Sequence, residues 1–342
     1  MNEALPPSDL SSDDWEAEAS DGAGTAQDEL AVELRQVQVP AALHGVRLDK
    51  VLAELVPEFS RSYLQQLLAQ EAVQLNGQCV SKPSTKVKVG DSLQVAMRPT
   101  AQSQAFKPEP MSLDVVFEDE HLLVVNKPAG LVVHPAPGNW SGTLLNGLLA
   151  HHAGASQVPR AGIVHRLDKD TSGLMVVAKT RATMDTLVAL IAARNVSRRY
   201  LALAHGAWQG SAECTVEAAI GRDPRQRLRM AVVDPAQHPG KPARTDITCL
   251  DSSDQHCLVH CKLHTGRTHQ IRVHMLSLQH PLVADALYGG APAGGLQRQG
   301  LHAFRLALCH PVTGQQMQWH ASPPPDFLQA VEKLGLHYNP PL

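Results

Sequence analysis

From Leu113 onward the chain consists mainly of short runs of branched and aliphatic residues that are separated by turn-forming residues. Such runs form strands, because these side chains pack well on a pleated sheet. Strands separated by turns, with few helices, indicate a mixed, largely antiparallel α+β domain. The predicted strands are 114–117, 121–125, 131–133, 174–178, 200–204 and 258–263, and the main predicted helices are 143–150 and 181–194.

Charge is unevenly distributed along the chain. Residues 1–34 carry ten carboxylates and neither lysine nor arginine. Without them, 30 basic residues face 23 acidic ones, so the rest of the chain has a formal charge of +7, against -3 for the whole. A basic body indicates a polyanionic partner. Residues 1–38 contain few large apolar side chains to offset the entropy of ordering, and we predict a disordered acidic tail there.

Residues 39–97 have the pattern of a small α/β module. Apolar residues recur at helical spacing over 48–55, and a second such stripe follows Ser60, a potential N-cap. The Asn76-Gly77 pair favours a tight hairpin, and alternating valines and leucines over 87–95 indicate further strand. Two helices and a small sheet of this length are barely enough to fold alone.

Three basic residues lie beside the helix starts of this module, where backbone N–H groups and guanidinium donors can converge on a phosphate. They are Arg47, Lys50 and Arg61. Residues 98–112 are rich in proline, serine and glutamine and predict a linker. We therefore divide the remaining chain into a catalytic domain over 113–332 and a C-terminal tail over 333–342.

Polar residues concentrate in three stretches of the larger domain, 161–173, 198–202 and 265–275. The first, AGIVHRLDKDTSG, precedes a strand-forming run and is typical of a loop that displays functional groups. Composition alone would equally allow a polar turn with local ion pairs. The second stretch places Tyr200 among apolar residues, where a single tyrosine is more often part of the core.

The third polar stretch is considered as a strand from Gln270 to Met275, on the condition that its alternation reflects the two faces of a sheet. In that strand Gln270, Arg272 and His274 would share one face. A buried arginine needs a carboxylate partner, because an unpaired charge in a protein interior is very costly. Asp168 is the candidate partner.

The sequence gives little support for metal or nucleotide-cofactor chemistry. It contains neither GxGxxG after a strand nor GxxxxGK[ST]. The densest group of potential metal ligands lies between His256 and His264, but Cys257 and Cys261 would stand about 13 Å apart on a strand, too far to share one zinc ion. The six scattered cysteines are expected to be reduced. With neither a membrane-spanning stretch nor a signal peptide, we expect a cytoplasmic protein without membrane association.

Two sets of motifs resemble known families. RLDKVLAEL, SRSYLQQLL and KPSTKVKVGD, in this order from residue 46 to about 96, are similar to the ribosomal protein S-four-like RNA-binding module. HRLDKDTSG, RRYLALAHG and GRTHQIRVHMLSLQHPLVADALYGG resemble the three motifs of the RluA-type pseudouridine synthases, and the match runs in order to about residue 332. The phrases VPRAGIVHRLDKDTSGLMVVAKT and HPVTGQQMQWHA look most like subgroup D, which acts on large-subunit ribosomal RNA. Ala284 is a departure, since the family usually has glycine before Asp285.

The resemblance implies both a fold and a reaction. The fold would be a mixed, largely antiparallel α+β pseudouridine synthase domain that follows a small α/β RNA-binding domain. The reaction would be site-specific isomerisation of uridine to pseudouridine in large-subunit (23S) ribosomal RNA, in a stem-loop and without cofactor or metal. In it the glycosidic C–N bond breaks, the uracil rotates, and C5 bonds to the sugar.

The resemblance also implies roles for single residues. Asp168 would be the essential carboxylate, acting either as a nucleophile or in deprotonation of the ribose. Arg272 would keep Asp168 ionised, and Tyr200 would stack near the uracil and assist removal of the C5 proton. Arg166 would fill the space that the flipped uridine leaves. The residues expected to bind RNA besides Arg166 are His165, Arg267, Gln270, Arg47, Lys50 and Arg61.

Other functions stay open at this point. The same fold could serve a noncatalytic RNA-binding factor of ribosome assembly, or a synthase that acts on a different structured RNA. The intact set of Asp168, Tyr200 and Arg272 favours the enzyme. A glycoside or nucleoside hydrolase fits less well, because it would normally use two cooperating carboxylates. We expect a monomer whose partner is ribosomal RNA or the pre-ribosomal large subunit.

Overall fold

The computed structural model describes four stretches of the chain, residues 33–56, 61–97, 105–226 and 228–339. Contacts group residues 33–97 into one unit and residues 105–339 into another. The second half of the predicted linker belongs to the larger unit: Ala105 is buried, and Asn146 Nδ2 donates hydrogen bonds to the carbonyls of Ala105 and Lys107 at 3.3 and 2.9 Å. No helix in the described stretches is long and apolar enough to cross a bilayer.

The smaller unit has two helices on a four-stranded antiparallel sheet with the strand order β1-β4-β2-β3. Its strands are β1 (Glu33–Gln38), β2 (Val73–Leu75), β3 (Gln78–Cys79) and β4 (Ser92–Met97), and its helices are α1 (Leu48–Leu55) and α2 (Arg61–Ala69). The apolar stripes of both helices are buried, as their spacing predicts. Asn76 and Gly77 have φ of 50° and 79°, which the predicted tight turn requires.

Two predictions for this unit are wrong in part. Residues 33–38, assigned to the acidic tail, form β1 and pair with β4 along their whole length. Composition cannot reveal this pairing, because the backbone ladder, and not the side chains, satisfies the strand. Of the two predicted strand segments on either side of Gly90, only the one after it forms a strand, and Val89 before it is 54% exposed. Ser60 and residues 1–32 lie outside the described residues.

The larger unit is built on a nine-stranded sheet with the order β5-β6-β7-β14-β8-β13-β12-β9, in which β15 also pairs with β14. Every pairing is antiparallel except that of β7 with β14. The strands are β5 (Val115–Glu118), β6 (Leu122–Lys127), β7 (Ser172–Ala178), β8 (Ser197–His205), β9 (Glu213–Glu217), β12 (Arg244–Ser252), β13 (His256–Leu263), β14 (Leu301–Cys309) and β15 (Gln316–His320).

The described part of this unit also contains a separate hairpin and four α-helices. The hairpin pairs β10 (Ile220–Arg222) with β11 (Met230–Val232), and the helices are α3 (Leu144–His151), α4 (Arg181–Ala192), α5 (Gln270–Ser277) and α6 (Pro325–Lys333). The core lies on both faces of the large sheet, as the predicted α+β class requires. After α6, Leu334, Leu336 and Tyr338 pack on this core, so the domain extends beyond the predicted limit at 332.

Two predicted strands of this unit do not form. At 131–133 the carbonyls of Val132 and Val133 accept hydrogen bonds from the first amides of α3 instead of pairing with a strand. The segment from Gln270 is helix α5. Its polar residues are buried together with its apolar ones. The alternation of polar and apolar residues therefore does not mark an exposed and a buried face of a strand, because the polar side chains have buried partners.

Ala284, the departure from the family pattern, has φ of 58°, in the left-handed region. A Cβ in this conformation costs about 1–2 kcal/mol, whereas a glycine there costs only its extra unfolded-state entropy. Ala284→Gly is therefore expected to raise the free energy of unfolding by about 0.5–1 kcal/mol, measured by urea denaturation. Ala286→Gly, at an exposed position of the 3-10 turn just after it, is the control and should lower stability. A loss of stability in both variants would contradict the strain argument.

Candidate active site

The pairing of three central strands brings distant motifs together. Ser172, at the start of β7, lies in register with His302 on β14, and His302 lies in register with Leu201 on β8. The loop that precedes β7 and carries Asp168 therefore ends two strands away from Tyr200. Gly173 has φ of 118°, and a Cβ there would come within 2.3 Å of the Ala303 carbonyl oxygen. Glycine thus permits β7 to approach β14 this closely.

A buried lysine stabilises the loop that carries Asp168. Lys127, at the end of β6, is 1% exposed, and its Nζ donates to the carbonyls of Pro128, Leu131 and Lys169 at 2.8–2.9 Å. Three carbonyl acceptors satisfy the three donors of an ammonium group. Because Lys169 directly follows Asp168, this ammonium fixes the backbone at the carboxylate.

The segment before β14 holds the other side of the same loop. Arg298 Nη1 donates to the Asp170 carbonyl at 3.1 Å, and Gln299 Nε2 donates to Thr171 Oγ1 at 2.9 Å. Ser172 Oγ and His302 Nδ1 are 2.9 Å apart. Every residue from 169 to 172 is thus tied to a rigid element, so the loop presents Asp168 in one defined position.

Arg272, on α5, is the ion-pair partner of Asp168. Its Nη1 is 3.0 Å from Asp168 Oδ2, while its Nε and Nη2 donate to Asp285 Oδ2 and Oδ1, both at 2.8 Å. The predicted pairing of Arg272 with Asp168 is confirmed. Asp285, whose side chain is 1% exposed, was not predicted. Because Asp285 binds Nε and Nη2 of the guanidinium, the remaining group, Nη1, donates to Asp168.

The electrostatics of the site favour the ionised form of Asp168. Burial alone would raise its pKa, but positive charges outweigh burial and lower that pKa from 3.8 to about 2. These charges are that of His269, which is protonated only at the low pH where Asp168 titrates, and those of Arg272 and Arg166. Burial also lowers the pKa of His269 to about 4. His269 is therefore neutral at pH 7, and the two arginines are the cations that keep Asp168 ionised.

Two tyrosines line the same region. Tyr200 is 5% exposed, and burial raises its pKa, so it is a neutral phenol. Tyr288 is 2% exposed, and its ring lies 4.8 Å from the Arg272 guanidinium carbon. The Tyr288 oxygen accepts from the Met230 amide at 3.0 Å and lies 2.8 Å from His269 Nδ1. Tyr288 thus fixes both the histidine ring and the arginine, and the sequence reasoning missed it.

The structure places some of the predicted RNA contacts in the interior. His165 is 7% exposed, its Nε2 accepts from the Val176 amide at 3.0 Å, and burial lowers its pKa to about 3. Gln270 is 3% exposed and uses both ends of its amide, accepting from Thr265 Oγ1 at 2.7 Å and donating to Thr245 Oγ1 at 2.9 Å. Both residues hold the site together, so their expected role as RNA contacts is not supported.

The other predicted RNA-binding residues of this unit lie at its surface. Arg166 is partly buried, and its charge is close enough to lower the pKa of Asp168. Arg267 is partly exposed, and its Nε donates to the Pro242 carbonyl at 3.3 Å. Among the described residues, no group of three or more histidines, cysteines or carboxylates could hold a metal ion.

In the smaller unit two arginines share one buried carboxylate. Asp49 is 2% exposed, and its oxygens lie 3.0 Å from Arg47 Nε and 2.9 Å from Arg61 Nη2. Hydrogen bonds from both arginines lower the pKa of Asp49 to about 2. The arginine side chains stay 50% and 55% exposed, and Lys50 is exposed beside them. The cluster therefore keeps a net positive charge and free donor edges at the start of α1.

The comparisons with known proteins define the class of this protein as an RNA-modifying isomerase. The chain belongs to the RNA pseudouridylate synthase family. The model of that family matches residues 121–277, from β6 to the end of α5, and the S4 domain model matches residues 46–93 in the smaller unit. The predicted family, fold class and enzyme type are thus confirmed.

Three relatives share the name ribosomal large subunit pseudouridine synthase D. Those from Neisseria meningitidis serogroup B, Nitrosomonas europaea and Escherichia coli O6:H1 are 49%, 46% and 44% identical to this chain. The alignments cover 87%, 92% and 86% of this chain and 81%, 92% and 92% of the relatives.

Solved structures show the same fold. Human RNA pseudouridylate synthase domain containing 1 matches with a TM-score of 0.50 and 30% identity, over 63% of this chain and 86% of its own. Human RNA pseudouridylate synthase domain containing 4 matches with a TM-score of 0.51 and 23% identity, over 66% and 94% of the two chains.

Proposed function

We propose that this enzyme isomerises uridine to pseudouridine in a stem-loop of large-subunit ribosomal RNA. The observation that carries the proposal is the largely buried ion pair between Asp168 and Arg272, which lies in the sheet region that also presents Tyr200. The names of the aligned relatives support ribosomal RNA as the substrate. The enzyme would act in the cytoplasm as a monomer, on naked RNA or on the pre-ribosomal large subunit.

In this proposal Asp168 acts as the ionised carboxylate, either as a nucleophile or in deprotonation of the ribose. Arg272 positions Asp168 and keeps it ionised, and Asp285 positions Arg272. Tyr200 lies against the uracil and assists loss of the C5 proton. The polar groups of the site are already ordered, so little reorganisation is needed when the base enters.

Mapping of pseudouridine in ribosomal RNA tests the proposal. Cells without the gene should lack one or more pseudouridines of the large subunit, and the wild-type gene should restore them. The purified enzyme should form the same pseudouridines in vitro. If pseudouridines are lost from another RNA instead, that RNA is the substrate. An unchanged map together with an assembly defect would favour the noncatalytic function.

The S4 domain is proposed to anchor the RNA through Arg47, Lys50 and Arg61. Deletion of residues 1–100 should weaken binding to structured ribosomal RNA and flatten the dependence of log Kd on log salt, because each lost phosphate contact removes about 0.9 from the slope. Residue 101 precedes the segment that packs on the larger unit, so the catalytic unit should still fold. Filter binding at several salt concentrations is the measurement. An unchanged slope would show that the anchor lies elsewhere.

Arg166 is proposed to occupy the gap that the flipped uridine leaves in the RNA stack. Arg166→Ala should slow modification strongly in a stem-loop but less in a short unstructured strand, where unstacking costs less than the few kcal/mol of a paired site. Single-turnover rates on both RNAs measure the difference. Equal losses on the two substrates would remove Arg166 from this role.

A further inference from the structure

Arg198, near the start of β8, is a buried cation without a partner among the residues that the structure describes. Its side chain is 7% exposed, and its Nε is fully buried and unbonded. The guanidinium makes neither a hydrogen bond nor an ion pair with any residue that the structure describes. Burial lowers the pKa of Arg198, yet a guanidinium stays protonated in proteins. The interior therefore contains an uncompensated positive charge.

Other buried or partly buried cations of this region do have partners. Arg272 has two carboxylates, Lys127 has three carbonyls, and Arg298 has Asp326 at 2.7 Å. An unpaired interior charge costs several kcal/mol, so a fold that retains one gives up stability for it. Because the described residues supply no acceptor for the buried Arg198 guanidinium, we look for a ligand that brings one.

The surroundings of Arg198 restrict what that ligand can be. Arg198 and Tyr200 are two residues apart on one strand, so their side chains share a face of the sheet. A Cβ at Gly266, in the loop before α5, would come within 2.7 Å of Arg198 Nη1, so glycine leaves the room the guanidinium needs. A backbone phosphate stays near the surface, whereas a flipped base inserts beside Tyr200. The burial of Arg198 therefore favours the flipped base, and not a phosphate, as its ligand.

We propose that the Arg198 guanidinium binds a carbonyl oxygen of the flipped uracil and stabilises the charge of the detached base. This inference rests on the proposed function. When the bond from C1′ to N1 breaks, its electron pair leaves with the uracil and spreads over N1 and the carbonyl oxygens. The base rotates, C5 bonds to C1′, the C5 proton is lost, and N1 gains a proton. Arg198 transfers no proton, and its contact strengthens as the oxygen becomes more negative.

Arg198→Met tests whether the charge serves the reaction. It should lower the single-turnover rate on the order of a hundredfold, the effect of removing one donor to a developing oxyanion. The Kd for RNA should stay within about twofold, and Tm should not fall, because the variant removes an unpaired buried charge. Arg198→Lys should recover part of the rate. Arg199→Met, the adjacent residue whose side chain lies on the other face of β8, is the matched control and should react normally.

Modified RNAs identify the atom that Arg198 contacts. Sulfur is a weak acceptor, so either 2-thiouridine or 4-thiouridine at the target should slow the wild-type enzyme while costing Arg198→Met little more. A methylphosphonate at the target nucleotide tests the phosphate instead. If only the methylphosphonate removes the difference between the two enzymes, Arg198 binds phosphate and the inference is wrong.

The two proposals can fail separately. A wild-type enzyme that forms no pseudouridine in any RNA would refute the proposed function. A wild-type enzyme that is active while Arg198→Met keeps its rate, or loses rate together with Tm, would refute only the role of Arg198. In the latter case the arginine would be structural.

Discussion

Replacing Asp168 by asparagine is expected to abolish pseudouridine formation, with a loss of at least roughly 10⁴-fold, the loss caused by the same change at the aspartate that only orients the histidine of a serine-protease triad. Asparagine keeps the shape of the side chain, so the loop and its anchors at Lys127 and Arg298 should be undisturbed. Arg272 keeps its two hydrogen bonds to Asp285, so the protein should stay folded, although it loses the stability that the ion pair with Asp168 contributes above pH 4. Single-turnover assays measure the rate, while Tm and the Kd for RNA verify that folding and binding persist.

Asp170→Asn is the matched control for this experiment. Asp170 lies two residues further along the same loop, and its backbone carbonyl, but not its carboxylate, receives the Arg298 hydrogen bond. The same change of charge at this position should leave the rate within about threefold, since no step needs it. Retention of even a tenth of the wild-type rate by Asp168→Asn would refute the assignment of Asp168.

Arg272→Met is expected to destabilise the protein by about 3–5 kcal/mol, because it leaves the carboxylates of Asp168 and Asp285 buried without their cation. Urea denaturation measures the loss. Arg181→Met breaks an Arg–Asp pair on α4 whose side chains are 66% and 62% exposed, and should change stability by less than about 1 kcal/mol. Equal losses in the two variants would contradict the burial argument. Activity should fall in Arg272→Met on both stem-loop and unstructured RNA, unlike in Arg166→Ala.

The pH dependence of stability gives an independent test of the same pair. In the folded wild-type protein the pKa of Asp168 is about 2, below its ordinary 3.8, so the pair contributes stability above pH 4 that is lost as the pH falls towards 2. Without Arg272, burial would raise that pKa, and protonation would favour the folded state. The Tm difference between wild type and Arg272→Met should therefore shrink as the pH is lowered from 7 to 3. A constant difference would show that Asp168 does not depend on Arg272 for its charge.

The local sequence pattern predicted much of the fold. It failed for segments whose structure depends on backbone pairing or on buried polar side chains. The runs around 174–178, 200–204 and 258–263 became central strands, because a continuous apolar stretch has few other ways to be buried. The segment from Gln270 failed as a strand because Arg272 and His274 are buried with partners elsewhere, so polarity no longer reports exposure. Strand β1 was missed because pairing with β4 stabilises it through the main chain.

The sequence by itself determined the family, the reaction class and the identity of Asp168, Arg272 and Tyr200 as candidates, because these depend on which chemical groups occur in which motif. The tertiary structure alone decided how those groups are held. Asp285, Lys127 and Tyr288 lie 117, 41 and 120 positions from Asp168, and only the sheet and its loops bring them to the site. The same holds for Arg198, whose lack of a partner among the described residues is visible only from their positions in the fold. Whether a charged side chain is compensated depends on distances between atoms, and no local pattern in a sequence contains these distances.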